Sequence, residues 1–521
     1  MPIKNSRAYY AAFGEALEGL YQEDIITLAN SKRKSGEELN PDVFNRAAEW
    51  IHQRGGFTPE MLTEQPAVDV INETFRVLGG AVSPSITQEV PPELVGALEN
   101  NAFVFSGFKT FHSLNEVGLS LVDDKGGIKP FEAFQKDVEK INARYNGNYL
   151  YAEYNHAVTS SQMAAKWHDF EKDGDRYDLQ YRTAGDELVR AEHQALHNVT
   201  LPPSDPFWSQ FTPPNGWNCR CTVVQVRKNK YPESDSTQAI GIGETMTADP
   251  KMQMFRFNPG KELKLYPDKH PYYKAPKAVK KAIKQLAAPI QTPEQAVGFI
   301  NEVKERQTWF ERGFSKFIVT TRSGVNGYTD MNGLIAMTKE RMTNVLSGLT
   351  KLRQGGKVTF DEADALATFW HEITHNRNKR GNMFRTTLET RYMELANEFV
   401  ARNTLPEFYK SFNSEVQFPE LMENRKSTGY NKWVRNYSTL IQFTKADFQG
   451  VVERVKQELF QGNYNEQVRG LVKALKENKA IKPDGTRLKE AEIKRLVKDC
   501  LNYGEETYKD MLASLFREQN S

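Results

Sequence analysis

The most regular alternation of apolar and polar positions lies in the C-terminal half of the chain. An apolar residue recurs every three or four positions in two consecutive stretches, which is the period of one helix face. The first stripe consists of Ala363, Leu366, Trp370 and Ile373, and the second of Leu388, Tyr392, Leu395 and Phe399. Thr359 and Glu362 have the spacing of a capping box at the start of the first stripe. The pattern therefore predicts one helix over residues 359–379, followed by a turn at Gly381, and a second helix over 386–403.

Strands are predicted immediately upstream of these helices. Residues 317–321 form a β-branched run, and residues 328–333 have the composition of a turn that leads into the apolar stretch 334–337. Downstream of Arg402 the apolar spacing is helical up to the end of the chain, with a turn at 483–485. The predicted fold is therefore α+β and mostly helical, with a small sheet.

The composition is that of an ordinary globular protein. With 521 residues, of which 39% are hydrophobic and 26% are charged, two to four domains are expected. The formal net charge of +2 gives no overall reason to bind nucleic acid, and three cysteines do not make a disulfide framework. No stretch offers the roughly eighteen uncharged apolar residues of a membrane-spanning helix, and the N-terminus lacks the pattern of a secretory signal. We therefore expect neither a membrane-spanning protein nor one exported through a signal peptide.

The candidate chemistry lies on the first predicted helix, in the sequence His371-Glu372-Ile373-Thr374-His375. Residues four positions apart share one helix face, so His371 and His375 can bind the same metal ion. Glu372, on the same turn, can act as a base towards a water molecule. This combination of residues is typical of zinc-dependent amide hydrolysis.

The second predicted helix extends the motif, because Glu394 and Glu398 share one of its faces. The segment Glu394-Leu395-Ala396-Asn397-Glu398 resembles the Glu-x-x-x-Asp element of the gluzincin branch of the zinc peptidases, with Glu398 standing where the family usually has Asp. The resemblance implies a zincin-like fold with an edge strand beside the active-site helix, and Zn²⁺ as the cofactor. It further implies that Glu394 is the third zinc ligand, that Glu372 is the catalytic base and that Glu398 orients a ligand histidine from behind.

Two other interpretations of these residues stay open. The histidines can be helix-surface residues, with the glutamates in solvated ion pairs with Arg377, Lys379 or Arg391. Alternatively, the domain can bind metal without catalysing a reaction, since a fold does not by itself establish activity. An active peptidase needs a group that stabilises the developing oxyanion. Tyr430 and Tyr437 are available for this role, but the sequence selects neither.

The N-terminal half contains different motifs, which are dense in aromatic and polar residues. It ends in the string Pro213-Pro214-Asn215-Gly216-Trp217-Asn218-Cys219-Arg220-Cys221, preceded by Asp205-Pro206-Phe207-Trp208 and by Asp186, Arg190 and His193. These residues resemble the phage Mu F-like minor head protein family (phage head morphogenesis). The resemblance implies a minor capsid component near the portal of a tailed phage or prophage, with a role in head assembly or DNA delivery. It implies portal and capsid proteins as partners, packaged DNA as a further candidate, and the virion and the host cytoplasm as locations.

The two cysteines of this string allow two interpretations. With one residue between them, Cys219 and Cys221 cannot form a relaxed disulfide, and two thiols are too few to enclose a zinc ion. Together with His193 or His197 they could complete a metal site; otherwise they pack as small apolar groups. We favour the second interpretation, in which both histidines are structural residues of a predicted helix over 186–198.

Changes in composition divide the chain into four predicted segments. They are a helical N-terminal region over residues 1–100, a Mu F-like head domain over 101–275, a basic linker over 276–291 and a zincin-like domain over 292–521. The lysines of the linker could contact DNA or an acidic capsid surface, but they are more typical of a solvated helix.

The expected protein is a phage minor head protein that carries a zinc-dependent peptidase for a peptide or protein substrate, either delivered with the DNA or active in head maturation. The alternative is a purely structural head protein with an inactive zincin-like domain or a helical interaction domain.

Overall fold

The computed structural model describes residues 3–28, 38–123, 125–187, 189–330, 332–379, 385–425, 429–463 and 466–516. The chain divides into two compact units. The first comprises Met1–Ala288 together with Gln354–Gly356, and the second comprises Pro289–Arg353 and Lys357–Ser521. Both units are built mainly from helices, and each contains a three-stranded sheet. The predicted α+β class, mostly helical, is therefore confirmed.

The first unit contains long helices, short helical segments and three strands. Its helices are α1 (Ile3–Leu28), α2 (Pro41–Arg54), α3 (Gln65–Gly79), α4 (Val82–Ser85), α5 (Pro92–Ser120), α6 (Phe131–Asn142), α7 (Leu150–Asp173), α8 (Ala191–Gln194), α9 (Phe207–Phe211), α10 (Ser236–Met246), α11 (Pro259–Glu262) and α12 (Lys277–Ala287). Its strands are β1 (Tyr177–Arg182), β2 (Thr200–Leu201) and β3 (Thr222–Arg227). A π-helical segment, Ala143–Tyr149, joins α6 to α7.

Two cores hold the first unit together. The sheet has the order β2-β1-β3, and both of its strand pairs are antiparallel. Tyr181 and Val223 of the sheet share one apolar cluster with Phe207 and Trp208 of α9. A larger cluster combines residues of α1 to α7 with residues of α12. Cys219 and Cys221 of the Mu F-like string thus lie in the smaller, sheet-containing core, whereas Trp217 of the same string packs in the larger one.

The structure draws two of the predicted segment limits differently. Helix α5 runs through residue 100, because its apolar residues on both sides, including Leu98 and Phe103, pack in the same core. The predicted linker over 276–291 is largely helix α12, with Val279 and Ile283 buried in that core. The lysines of α12 occupy its exposed face. This segment is therefore mostly an amphipathic helix that packs in the core of the first unit.

The second unit contains two helices, then three strands, and then a long series of helices. Its strands are β4 (Lys316–Val319), β5 (Gly327–Thr329) and β6 (Leu334–Met337). Its helices are α13 (Pro293–Asn301), α14 (Lys304–Gln307), α15 (Lys339–Arg353), α16 (Phe360–Asn376), α17 (Thr387–Asn403), α18 (Leu405–Lys410), α19 (Glu420–Glu423), α20 (Asn431–Phe443), α21 (Phe448–Gln461), α22 (Gln467–Glu477), α23 (Glu490–Asn502) and α24 (Glu505–Leu515).

The sheet of the second unit has the order β4-β6-β5, with β4 parallel and β5 antiparallel to the central β6. One core combines this sheet with α13, α15, α16 and α18. A second core combines α17 with α20 to α24. Helices α16 and α17 contact each other, so each contributes one face to a core and another to the contact between them.

The predicted helices around the histidine motif are confirmed, and so are strands in the predicted runs 317–321 and 334–337, but the start of the predicted turn over 328–333 belongs to strand β5. Helices α16 and α17 begin at capping boxes, formed by Thr359 with Glu362 and by Thr386 with Glu389. The predicted turn at Gly381 lies outside the described residues. None of the described helices combines the length and the apolar character needed to cross a membrane.

The predicted helix over 186–198 is wrong. Among the described residues of this range, only Ala191–Gln194 are helical, as α8. The chain then turns at Asn198, whose φ is 71°, and the Asn198 N–H donates to the Tyr181 carbonyl oxygen at 2.9 Å. Pairing with β1 therefore replaces the last helical turns, because the segment must return to the sheet as β2.

Candidate metal centre

Helices α16 and α17 bring together all five residues that the sequence motifs selected. His371, Glu372 and His375 lie on α16, and Glu394 and Glu398 lie one turn apart on α17. Because the histidines are four positions apart, they project from one face, and their ring centroids are 4.7 Å apart. The whole motif is buried, since α16 packs on the sheet and on α17.

Three donor atoms form a compact triangle. The Nε2 atoms of His371 and His375 are 3.1 Å apart. Glu394 Oε2 lies 3.4 Å from the Nε2 atom of His371 and 3.3 Å from that of His375. Ligand atoms about 2.0–2.1 Å from a tetrahedral zinc ion lie about 3.4 Å from one another. The separations and the donor types therefore fit a single zinc ion.

Glu398 holds the imidazole of His371 from the opposite side. Its Oε2 atom lies 2.7 Å from His371 Nδ1, and the residue is completely buried. Arg402 Nε donates to Glu398 Oε1 at 2.8 Å, and Arg425 donates to Glu398 Oε2 at 2.9 Å. A carboxylate on the rear nitrogen of a ligand histidine fixes the direction of the other nitrogen. Glu398 thus occupies the position expected of a residue that orients a metal ligand.

The protonation of the cluster follows from its mixed charges. Burial lowers the pKa of His371, but hydrogen bonds to Glu394 and Glu398 outweigh burial and raise this pKa to about 10. Burial also opposes ionisation of both carboxylates. His375 and His371 nevertheless hold the pKa of Glu394 below its usual range, and Arg425 and His371 do the same for Glu398. Both carboxylates are therefore ionised, as a metal ligand and its supporting group must be.

A hydrogen-bonded network extends from Glu398 to helix α15. Arg425 donates to Thr368 Oγ1 on α16. Arg341 of α15 donates to the same hydroxyl at 2.8 Å and to Asp364 Oδ2 at 2.7 Å. The network ties α15 and α16 to Arg425 and so restricts the position of Glu398 behind the triangle.

Glu372 lies next to the two histidines and has little room to move. The residue is 6% exposed, and burial raises its pKa above the usual range. A raised pKa suits a group that accepts and returns a proton near neutral pH. The space for Glu372 depends on Gly327 of β5, because a Cβ at that position would lie 3.1 Å from Glu372 Oε1 and 3.1 Å from the Ala336 carbonyl oxygen.

A cavity of about 490 Å³ adjoins the triangle, and its walls include β5, α16, α17 and Tyr430. The ring of Tyr430 lies 5.9 Å from the ring of His371, centroid to centroid, and its hydroxyl is hydrogen-bonded to Glu394. Burial and then the charge of Glu394 raise the pKa of Tyr430, so the hydroxyl keeps its proton. Tyr437 is not part of this site, because its hydroxyl donates to the Leu471 carbonyl oxygen at 2.8 Å inside the helical core.

Strand β5 forms an edge of the sheet on the side of the cavity. Thr338 N–H donates to the Asn326 carbonyl oxygen, and Asp330 N–H donates to the Leu334 carbonyl oxygen, at the two ends of the pairing with β6. In an antiparallel pair, alternate residues direct their backbone groups to the neighbouring strand. The backbone groups of Gly327 therefore belong to the other edge of β5, where an extended peptide can pair.

Gly327, Asn376 and Arg425 of the site were not predicted from the sequence, and Tyr430 was one of two tyrosines between which the sequence did not choose. Asn376 donates to Thr329 Oγ1 and accepts from the Gly333 N–H at 3.0 Å, which fastens α16 to β5. Its position four residues after Glu372 is a signal that could have been used. Arg425 and Tyr430 carry no such signal, because they follow α19 and reach the site only through tertiary packing.

Comparison with known proteins relates the chain to the F proteins of Mu-like phages. Residues 126–224 match the family model described as Phage Mu protein F like protein. The chain is 26% identical over 272 residues to a protein of Escherichia phage Mu described as capsid assembly protein F, across 47% of this chain and 58% of that protein. It is 40% identical over 62 residues to the Mu-like prophage FluMu F protein of Haemophilus influenzae, across 11% of this chain and 15% of the relative. No solved structure matches the chain.

The matched stretches span less than two thirds of the length of either relative. The family match lies in the first unit and contains the whole P-P-N-G-W-x-C-R-C string. These comparisons lend no support to the gluzincin resemblance, which rests on the residues of the second unit and their geometry. The chain thus has a phage Mu F-like segment over residues 126–224, and this part of the prediction from sequence is confirmed.

Proposed function

We propose that this protein acts in the assembly of a phage or prophage head and that its second unit is a zinc-dependent peptidase. The Mu F-like segment and the similarity to the phage Mu capsid assembly protein support the first part. Portal and capsid proteins are the partners that such a role requires, with packaged DNA as a further candidate, and the virion is the corresponding location. The assembly role is transferred by analogy with relatives that are matched over part of their length.

One observation carries the peptidase proposal. The donor atoms of His371, His375 and Glu394 lie 3.1 to 3.4 Å apart, with the buried Glu372 beside them. Both histidines are 5% exposed, which is unlike the solvated helix-surface pairs of the simplest alternative. An ion at the centre of the triangle gives all three donors a common partner.

The chain's own residues supply the remaining functions of a peptidase. His371, His375 and Glu394 would hold zinc, which when bound supplies Lewis-acid polarisation of a carbonyl oxygen and activation of water. Glu372 would accept a proton from the attacking water and return it to the leaving amine nitrogen. Tyr430 would donate a hydrogen bond to the developing oxyanion. The outer edge of β5 would hold the substrate backbone in an extended conformation.

The zinc content of the full chain is the first test. We would compare the wild type with His375→Ala and Glu394→Gln, with Glu389→Gln as a matched control. Glu389 lies on the same helix as Glu394 but only caps its first turn, a role that Gln also performs. We expect each ligand variant to hold one zinc ion fewer per chain than the wild type, and the control to hold as much. Equal zinc contents in all four proteins would contradict the proposed ligands.

Hydrolysis is tested with peptides prepared from a denatured bacterial proteome, with the products identified by mass spectrometry. New termini produced by the wild type and absent with His375→Ala support the peptidase. A zinc-loaded wild type that produces no new termini would overturn the enzymatic part. It would favour the alternative, a structural head protein with an inactive metal-binding domain.

Head assembly is tested separately, on particles of the phage or prophage that encodes the chain. After density-gradient separation, we expect the chain in fractions that contain capsids or their assembly intermediates. Its absence from all of these fractions would contradict the head role, whatever the outcome of the zinc and cleavage experiments.

A further inference from the structure

A second group of metal-binding side chains lies in the first unit, inside the Mu F-like segment. His193 Nδ1 is 3.6 Å from Cys219 Sγ and 3.5 Å from Cys221 Sγ. The three ligand atoms all lie within 4.8 Å of one another, and the three residues are 3% to 5% exposed. We propose that His193, Cys219 and Cys221 bind a zinc ion that is independent of the candidate metal centre in the second unit.

The distances suit this ion. With Zn–S at about 2.3 Å and Zn–N at about 2.0–2.1 Å, a sulfur and a nitrogen atom on one tetrahedral zinc lie about 3.6 Å apart. The two observed separations from His193 Nδ1 are 3.5 and 3.6 Å. Thiolate and imidazole are also the donor types that structural zinc sites use.

A single two-centre hydrogen bond at His193 Nδ1 accounts for only one of the two sulfur contacts. The Nδ1 atom of a neutral imidazole has either one proton or one lone pair, so it pairs with one thiol at a time. Both sulfur atoms nevertheless approach this nitrogen equally closely. One ion among the three donors explains both contacts, and each ion bound would release two thiol protons to solvent.

The C-x-C string lies immediately before β3, and its three residues alternate between buried and exposed. Alternate side chains of an extended segment point to the same side. Cys219 and Cys221 are therefore both buried, while Arg220 between them is directed outwards and forms an ion pair with Asp186. The two cysteines are free thiols in the structure, as expected for a spacing that does not allow a relaxed disulfide.

His193, and not His197, completes the group. The Nδ1 atom of His197 lies 2.8 Å from Thr183 Oγ1 and accepts from the Thr183 N–H at 3.2 Å. The Nδ1 atom of His197 is therefore hydrogen-bonded to Thr183, the residue that follows β1. Among the described residues the group offers three ligands, which leaves a fourth position for water or another small ligand.

The ion would join two connections that contain little regular structure. His193 lies in the connection from β1 to β2, residues 183–199. Cys219 and Cys221 lie at the end of the connection from β2 to β3, residues 202–221. In the parts of these connections that the structure describes, only the short helices α8 and α9 form. An ion held by both would restrict their conformations and so stabilise the native sheet relative to the unfolded chain.

Cobalt(II) titration distinguishes this site from the one in the second unit. Thiolate ligands give an intense sulfur-to-cobalt charge-transfer absorption in the near ultraviolet, whereas imidazole and carboxylate ligands do not. We would titrate the reduced, metal-free full chain with cobalt chloride and compare it with Cys219→Ser, Cys221→Ser and His193→Ala. We expect a band in the wild type with the amplitude of one thiolate-bound cobalt per chain, its loss in both cysteine variants and at least tenfold weaker development of the band with cobalt in His193→Ala.

Two controls make the assignment specific. Cys500→Ser removes the third cysteine of the chain, which lies in the second unit, and His375→Ala removes a ligand of the other candidate site. Both should keep the thiolate band. The absence of the band from a folded, reduced wild type would overturn the proposal, as would an unchanged band in Cys219→Ser or a disulfide between Cys219 and Cys221 in the freshly purified protein.

The wild-type titration needs no substitution, so it decides the matter even if a cysteine variant does not fold. A thiolate band in a chain that cleaves no peptide would support this site while the peptidase proposal fails. Zinc loss in His375→Ala, without any thiolate band in the wild type, would support the site of the second unit while the thiolate site fails.

Discussion

The two candidate metal sites differ in their ligands and, more importantly, in what surrounds them. In the second unit, two imidazoles and a carboxylate adjoin a cavity of about 490 Å³, with the carboxylate of Glu372 beside them. In the first unit, an imidazole and two thiols lie among the apolar side chains of the sheet core. An accessible zinc ion next to a base can act on a substrate, whereas a buried zinc ion held by two thiolates and an imidazole would mainly stabilise the chain segments that supply them. Similar ligand counts therefore support different roles.

The two sites also differ in how their ligands are held. His371, His375 and Glu394 lie on two capped helices, with Glu398 fixed behind one of them by two arginines. The ligands of the first unit lie on connections between strands. Helices keep their shape without an ion, but irregular connections gain order from one. We therefore expect metal removal to lower catalytic activity at the site of the second unit and to lower stability at the site of the first unit.

The largest expected effect separates catalysis from metal binding. Glu372→Gln should lower kcat for a cleaved peptide by about 10²- to 10⁴-fold, because the proton acceptor is lost, while the zinc content stays unchanged. The measurement is the cleavage rate at saturating peptide together with zinc analysis. Asp361→Asn, an exposed acid in the first turn of the same helix, is the control and should cleave normally. Equal rates for Glu372→Gln and wild type would remove the catalytic distinction between the two sites.

The second prediction removes the proposed thiolate ligands of the first unit and concerns stability. Combining Cys219→Ser with Cys221→Ser should leave kcat unchanged and lower the free energy of unfolding of the first unit. With free zinc at about a thousand times its Kd, the loss amounts to about 4 kcal/mol. The measurement is urea unfolding with zinc and with a chelator, and Cys500→Ser should respond to zinc as the wild type does. If the free energy of unfolding of the wild-type first unit is the same with zinc and with the chelator, the thiols do not stabilise the chain through a metal ion.

The oxyanion role of Tyr430 gives the next largest effect. Tyr430→Phe should lower kcat by about 10²- to 10³-fold, because a donor to the developing charge is lost. Tyr437→Phe is the matched control. It should retain kcat but lower the free energy of unfolding by about 1–3 kcal/mol, since the Leu471 carbonyl oxygen loses its buried donor. If both variants keep the wild-type kcat, another group must stabilise the oxyanion.

The support of His371 can be weakened without removing a ligand. Glu398→Gln should reduce zinc affinity in the second unit by about 10- to 100-fold, because the ring of His371 loses its carboxylate partner. Competition with a chromophoric chelator measures this change. The cobalt–thiolate band of the first unit should not change, and an equal loss at both sites would indicate general unfolding instead.

The smallest effect tests the space beside the base. Gly327→Ala adds a Cβ that would lie 3.1 Å from Glu372 Oε1, so this carboxylate must shift by a few tenths of an ångström. The fall in kcat should stay below the roughly 10²-fold that a 1 Å displacement causes. Gly298→Ala, on α13 with open space around its Cβ, should not change the rate. Full activity of Gly327→Ala would show that Glu372 does not need its present position.

Local patterns predicted much of the second unit. The apolar stripes and capping boxes of α16 and α17 are properties of short segments, so their positions follow from spacing alone. The helix predicted over 186–198 failed because pairing with β1 competes with local helical preference there. In the segment 276–291 the lysines of a solvated helix are visible in the sequence, but the core that receives Val279 and Ile283 is not.

The candidate sites show the same division. Helical spacing alone places His371 beside His375, and Glu394 beside Glu398 on the next helix. It does not reveal that Arg425 and Arg402 meet at Glu398, or that Tyr430 reaches the cavity. The sequence showed two close cysteines with His193 and His197 as candidates, and the fold selected His193 because His197 turns to Thr183.

By itself, the sequence determined the helical class, the two helices of the histidine motif and the Mu F-like string, because each depends on residues a few positions apart. Only the tertiary structure decided which distant groups meet, among them Gly327 with Glu372, Arg425 with Glu398, and His193 with Cys219 and Cys221. These contacts arise when separate helices and strands bury their apolar faces together, and that packing depends on the whole chain and not on any one segment.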